Sequence, residues 1–94
     1  MTNPIKLIIA DDEMLIRTGL KIMLEASGNV EVLALAESGR AAFEACKKHQ
    51  PDVVLMDIRM PESNGIEGTK LIKEAFPEVK VLIVTTFQDT EYIV

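Results

Sequence analysis

Five polar residues stand where short apolar runs stop. Leu7-Ile8-Ile9-Ala10 ends at Asp11-Asp12, Val53-Val54-Leu55-Met56 ends at Asp57, and Val81-Leu82-Ile83-Val84 ends at Thr85-Thr86. Three carboxylates crowded together repel, so a proton, a lysine or a metal must offset their charge. An oxygen-only cluster without His or Cys suits Mg²⁺. That ion favours octahedral oxygen coordination, keeps several waters, and takes one or two carboxylates plus a phosphate oxygen. Asp57 is the candidate nucleophile, since a carboxylate attacking phosphorus gives an aspartyl phosphate. The Thr85 hydroxyl and backbone amides after Asp57 and near Thr86 are candidate donors to the phosphoryl oxygens.

Each residue also has a plain structural reading. Asp12 alone caps a helix, Asp57 alone ends a strand, and Thr85 and Thr86 alone are strand formers. The conjunction carries the chemistry, because three separate runs place compatible groups at the same end. His49, the single histidine, falls at a helix end near Pro51 and reads as a helix-terminal cation or surface residue.

The elements that would position these groups alternate. After Asp11-Asp12, the segment from Glu13 to about Ser27 turns helical, with Ile16, Leu20, Met23 and Leu24 at i, i+4, i+7 and i+8. Gly28 supplies the stop. Val30–Ala36 reads as a second strand, and Glu31 marks it as an edge with one wetter face. Ser38 is a candidate N-cap for a helix from Gly39 to about His49, which Pro51 ends. After Asp57 a loop holds Met60-Pro61 and Ser63-Asn64-Gly65. A third helix runs from about Ile66 to Phe76 and is closed by Pro77. Asp89 is placed to cap a fourth helix from Thr90.

Runs that are apolar throughout predict parallel strands covered on both faces, and their alternation with helices predicts βαβ units with right-handed crossovers. In such sheets ligands bind beyond the carboxyl ends of the strands, where strand order reverses. An order 2-1-3-4 brings Asp11, Asp12, Asp57 and Thr85 together and leaves Glu37-Ser38, at the end of the second strand, outside.

Composition narrows the classes further. The 94 residues allow one domain, with 48% hydrophobic content and only 4% aromatic, so the core is aliphatic. The net charge of −5, from 15 acids and 10 bases, carries no basic stripe of the kind that binds nucleic acid. A single cysteine, Cys46, excludes an internal disulfide and fits a reducing, cytoplasmic compartment. Its helical spacing with Ala42 and Ala45 predicts buried packing. The apolar runs are too short for a secretory signal or a membrane span.

Taken in order, Ile9-Ala10-Asp11-Asp12-Glu13, Asp52 through Pro61, Gly65 and Val84-Thr85-Thr86 resemble the receiver domain of bacterial two-component response regulators. The resemblance covers essentially the whole chain. It implies an α/β, flavodoxin-like doubly wound parallel sheet of strand order 2-1-3-4-5. It implies that Asp57 accepts a phosphoryl group from a sensor histidine kinase. Asp12 would bind Mg²⁺ directly, Asp11 would assist through water, and the Arg59 backbone carbonyl would be a further ligand. Thr85 would be the switch hydroxyl. Such a domain is not an enzyme beyond promoting its own phosphoryl transfer and dephosphorylation.

Asp11-Asp12-Glu13, Leu15 through Leu20, and Thr85-Thr86-Phe87 are most similar to the LuxR-type subfamily. Its members carry a C-terminal helix-turn-helix domain, so DNA binding is expected of a longer parent, through a domain absent from these residues. Against the family pattern, residues 1–94 are expected to be a receiver domain truncated before the fifth strand. The fourth helix is only begun, and the family's fifth-strand lysine is missing. The fourth strand then becomes an apolar edge, and completion by a partner chain would give a homodimer or strand-swapped dimer.

The rival reading is a pseudo-receiver, an unphosphorylated protein-interaction module. The three acids and Thr85 disfavour it. A dehalogenase-like phosphatase needs a second Asp where Arg59 stands. A flavin protein needs a Gly/Ser/Thr-rich loop where Asp11-Asp12-Glu13 stands, and the chain has no Gly-rich dinucleotide fingerprint.

Overall fold

The computed structural model describes residues 3–57 and 65–84. They form β1 (Ile5–Ala10), α1 (Met14–Ala26), β2 (Val30–Ala36), α2 (Gly39–His49), β3 (Val53–Asp57), α3 (Gly65–Ala75) and β4 (Lys80–Val84). The strands make one parallel sheet ordered β2-β1-β3-β4. This is the order that the resemblance to receiver domains implies for the first four strands. The expected fourth helix, from Thr90 with Asp89 as its cap, lies outside the described residues.

The helix boundaries follow local chemistry. Ser38 is extended, and its side chain accepts the Ala41 N–H, capping α2 as its position predicts. Gln50 closes α2 in the left-handed region (φ 50°), and its N–H donates to the Cys46 carbonyl. After α1, Gly28 takes φ +81°, a conformation that glycine adopts without steric cost. Beyond α3, the Lys73 ammonium donates to the carbonyls of Pro77 (3.1 Å) and Val79 (2.7 Å), fixing the turn into β4.

At the amino ends of the strands, Asp52 ties three strands together. Its carboxylate accepts the Lys6 N–H (2.9 Å), its own N–H donates to the Lys6 carbonyl, and its carbonyl accepts the Lys80 N–H. This fastens β1, β3 and β4 in register at the end opposite the acids.

The core lies between the sheet and the pair α2 and α3. Ile8, Ala10, Ala36, Val54 and Met56 from the strands meet Ala42, Cys46 and Ile72 from the helices, all buried. The largest fully buried side chains are aliphatic or sulfur-bearing, as the low aromatic content requires. Phe43 and Phe76 sit at the margin with ring centroids 6.2 Å apart. Gly39 and Gly68 let α2 and α3 approach at backbone distance: a Cβ on Gly68 would lie 2.6 Å from the Gly39 Cα.

The opposite face differs. Leu7 and Ile9 of β1 are buried, yet α1 contains no buried residue. Ile16, Leu20 and Leu24 are half-buried as their spacing predicts, while Met23 is 68% exposed. The helix is where the pattern puts it, but its apolar face is wider than the part that meets β1 and β2. On β4, at the margin of the described sheet, Leu82 is 56% exposed. β2 is the other edge, as Glu31 suggested, and carries a bulge: Leu7 pairs with Val32 and Ile8 with Ala34, leaving Leu33 as the extra residue.

Candidate functional site

β1 and β3 are neighbours in register, with Ala10 beside Met56. Asp57, the last residue of β3, and Asp11, the first after β1, therefore leave the sheet side by side. Asp11, Asp12 and Asp57 each offer a carboxylate oxygen, and these oxygens all lie within 4.8 Å of one another. Asp11 is 4% and Asp57 5% exposed, whereas Asp12 faces solvent.

Asp11 is held at three atoms. Its N–H donates to the Ala36 carbonyl (3.0 Å), continuing the β1–β2 ladder by one step. Its carboxylate Oδ1 accepts the Glu13 N–H (2.9 Å), an Asx turn that reverses the chain into α1. Its carbonyl accepts Arg17 Nη1 at 2.6 Å. One carboxylate oxygen of Asp11 is thus committed to the backbone. The turn projects Asp12 outward, and Glu13 becomes the N-cap residue of α1, extended and without a side-chain capping bond.

The electrostatics are those of crowded like charges. Burial pushes the Asp11 carboxyl above its ordinary range. The Glu13 N–H pulls it back, and the charges of Asp57, Asp12 and Glu13 push it up again. A hard divalent cation relieves that repulsion. The donor set fits one: oxygen ligands only, close enough to converge, with the solvent-facing Asp12 giving access to an ion that retains waters.

Of the residues predicted from sequence, the structure brings Asp11, Asp12 and Asp57 together. Arg59 and Thr85 lie outside the described residues, as does Thr86. Val84 pairs beside Asp57, so β4 runs toward the same end of the sheet. Glu37-Ser38 ends the edge strand β2, and Ser38 serves as a helix cap. His49 is exposed in the last turn of α2, consistent with its plain reading. Spacing did not single out the Arg17 contact with Asp11. The signal present was only a cation in the second turn of the helix that follows the acids.

Comparison with known proteins agrees with this geometry. The family model described as "Response regulator receiver domain" matches residues 7–94. The chain is 53% identical over 89 residues to the transcriptional regulatory protein LnrK of Bacillus subtilis (strain 168), covering 95% of this chain and 40% of that protein. It is 42% identical over 89 residues to the oxygen regulatory protein NreC of Staphylococcus haemolyticus (strain JCSC1435), covering 94% of this chain and 41% of that one. The chain thus spans about two-fifths of the curated relatives it matches.

Among solved structures, the response regulator domain of Thermotoga maritima CheB superposes with a TM-score of 0.85 at 33% identity. That match covers 93% of this chain and 64% of the other. A LuxR-family DNA-binding response regulator from Staphylococcus aureus gives 0.81 at 34% identity, covering 95% and 74%. With four parallel strands ordered 2-1-3-4 and an acidic cluster at their carboxyl ends, the chain belongs to the response regulator receiver domain family and has its flavodoxin-like fold, with LuxR-type regulators among its relatives.

Proposed function

We propose that this chain is the phosphoacceptor of a two-component pathway, with Asp57 receiving the phosphoryl group of a sensor histidine kinase's phosphohistidine. The observation that carries the reading is the convergence of Asp11, Asp12 and Asp57 within 4.8 Å at the ends of two adjacent strands. A carboxylate oxygen of Asp57 forms the new bond to phosphorus. The P–N bond to the donor imidazole breaks, and its electron pair stays on nitrogen. Mg²⁺ held by this acidic cluster would supply charge neutralisation for the transfer.

In this reading Asp12 is the direct metal ligand from the α1 side and Asp57 the second. Asp11, one of whose oxygens accepts the Glu13 N–H, acts through water as the family resemblance implies. The Arg59 carbonyl is a further ligand, and the Thr85 hydroxyl is the switch donor. The chain works in the cytoplasm as the receiver of a longer regulator that binds DNA through another domain. Among the described residues no helix is long and apolar enough to cross a membrane.

The test is incubation with acetyl phosphate, with and without Mg²⁺, followed by intact mass. The expected result is a Mg²⁺-dependent gain of one phosphoryl group, lost in Asp57→Asn. No gain in this chain or in a longer version, or an equal gain in the Asp57→Asn variant, would sink the reading. It would leave the interaction-module alternative.

A further inference from the structure

Arg17 is half-buried in the second turn of α1, and its side chain holds the start of the turn that carries the acids, while its backbone makes the ordinary first helical bond at the turn's other end. Its Nη1 donates to the Asp11 carbonyl at 2.6 Å, and its backbone N–H donates to the Glu13 carbonyl at 3.0 Å. The turn lacks the usual side-chain cap, because Glu13 makes no capping bond. What holds it is the Asp11 carboxylate on the Glu13 N–H together with the Arg17 contacts.

The load on this turn is electrostatic. Three carboxylates within 4.8 Å repel, and Asp11 and Asp12 are adjacent in the turn itself. Repulsion favours any relaxation that carries Asp12 outward. A charge-assisted bond from a guanidinium to a carbonyl is roughly twice as strong as a neutral one.

We propose that Arg17 is a positioning residue of the acidic pocket: by holding the Asp11 carbonyl it fixes the Asp11–Glu13 turn, and so sets where Asp12 presents its carboxylate to a divalent cation. The inference rests on the Mg²⁺-binding reading above. Residues that orient metal ligands without touching the metal typically change affinity by about 10–100-fold when replaced.

The experiment uses the full 94-residue chain, with Arg17→Met, Arg17→Lys and Leu24→Ala. Arg17→Met keeps the aliphatic stem and removes the donors. Arg17→Lys retains a charged donor. Leu24→Ala removes packing further along the same helix and serves as the stability control. Two quantities are read: the Mg²⁺ dissociation constant by titration calorimetry, and amide hydrogen exchange at Asp12 and Glu13. Arg17→Met is expected to weaken Mg²⁺ by roughly tenfold and to speed exchange at both amides. Arg17→Lys is expected to fall between it and the parent. Leu24→Ala is expected to lose stability with unchanged affinity.

Arg17→Met binding Mg²⁺ within about twofold of the parent, well short of the effect expected of such residues, would overturn this inference alone. So would an equal loss of affinity in Leu24→Ala. A parent chain that binds no Mg²⁺ would overturn both this inference and the phosphoacceptor reading.

Discussion

Gly39 and Gly68 bring α2 and α3 into backbone contact, so that a Cβ on Gly68 would sit 2.6 Å from the Gly39 Cα and 2.9 Å from its carbonyl atoms. Those neighbours are backbone and cannot rotate away. Gly68→Ala must push the helices apart over the buried layer of Ala42, Cys46 and Ile72. Gly19 is the counter-case, because a Cβ there meets nothing within 4 Å and the residue is inside a helix.

The same substitution should therefore have opposite signs at the two positions. Gly68→Ala is expected to cost at least ~1–3 kcal/mol, as overpacking does. Gly19→Ala is expected to add about 0.5–1 kcal/mol by removing backbone entropy from the unfolded chain. Urea unfolding of both variants checks this. A Gly68→Ala chain as stable as the parent would mean that the helices do not meet there.

Asp11 predicts a trade between stability and metal binding. Its folded pKa is raised, chiefly by burial, above the ordinary 3.8. Below that value the group is protonated in both the folded and unfolded chains and costs nothing. As pH rises through the raised folded value, the unfolded chain ionises more freely and stability is lost. Asp11→Asn keeps an oxygen to accept the Glu13 N–H. It is expected to melt higher than the parent at pH 7, with the difference closing below about pH 4. Mg²⁺ should reverse the ranking by stabilising the parent more than the variant. At a hundred times the dissociation constant the gain is about 2.7 kcal/mol. Thermal melts at pH 3 and pH 7, with and without Mg²⁺, decide it.

Cys46 should be chemically silent in the folded chain. It is fully buried, and burial pushes its thiol up to about 11. Alkylation by iodoacetamide at pH 8 is expected to proceed only through unfolding and to be rapid in denaturant. Because the folded thiol is the harder to ionise, the folded chain should lose stability as pH climbs from about 9 toward 11. Rapid alkylation without denaturant would show that α2 opens locally.

Asp52 separates the fastening end of the sheet from the chemical end. Asp52→Ala removes the acceptor of the Lys6 N–H but leaves its own backbone bonds to Lys6 and Lys80. A loss of about 0.5–1.5 kcal/mol is expected. Mg²⁺-dependent phosphoryl gain per folded molecule should stay unchanged. A parallel loss of phosphoryl gain would mean that the two ends of the sheet are coupled.

Much of the fold was legible because the needed information is local. Apolar runs without alternation identify strands buried on both faces. Asp11 and Asp57 mark where β1 and β3 leave the sheet, and Ser38, Gly28 and Pro51 punctuate the helices through their own backbone preferences. The acidic site followed from the same signals, once adjacent strands were assumed to end together. Arg59 and Thr85 were legible as candidates, and their placement lies outside the described residues.

Periodicity cannot state which strand lies beside which, nor how two faces meet, since those depend on contacts between residues far apart in the chain. Tertiary structure alone put β1 between β2 and β3 and inserted Leu33 as a bulge. It also left Met23 exposed on a helix whose spacing had turned it inward. It buried Asp11 while exposing Asp12, its immediate neighbour with the same side chain, because the Asx turn at Asp11 points one carboxylate into the sheet and the next toward solvent. The Arg17 bond to the Asp11 carbonyl belongs to the same class. Residue type supplied the donor, and only the path of the folded chain from β1 into α1 supplied the acceptor.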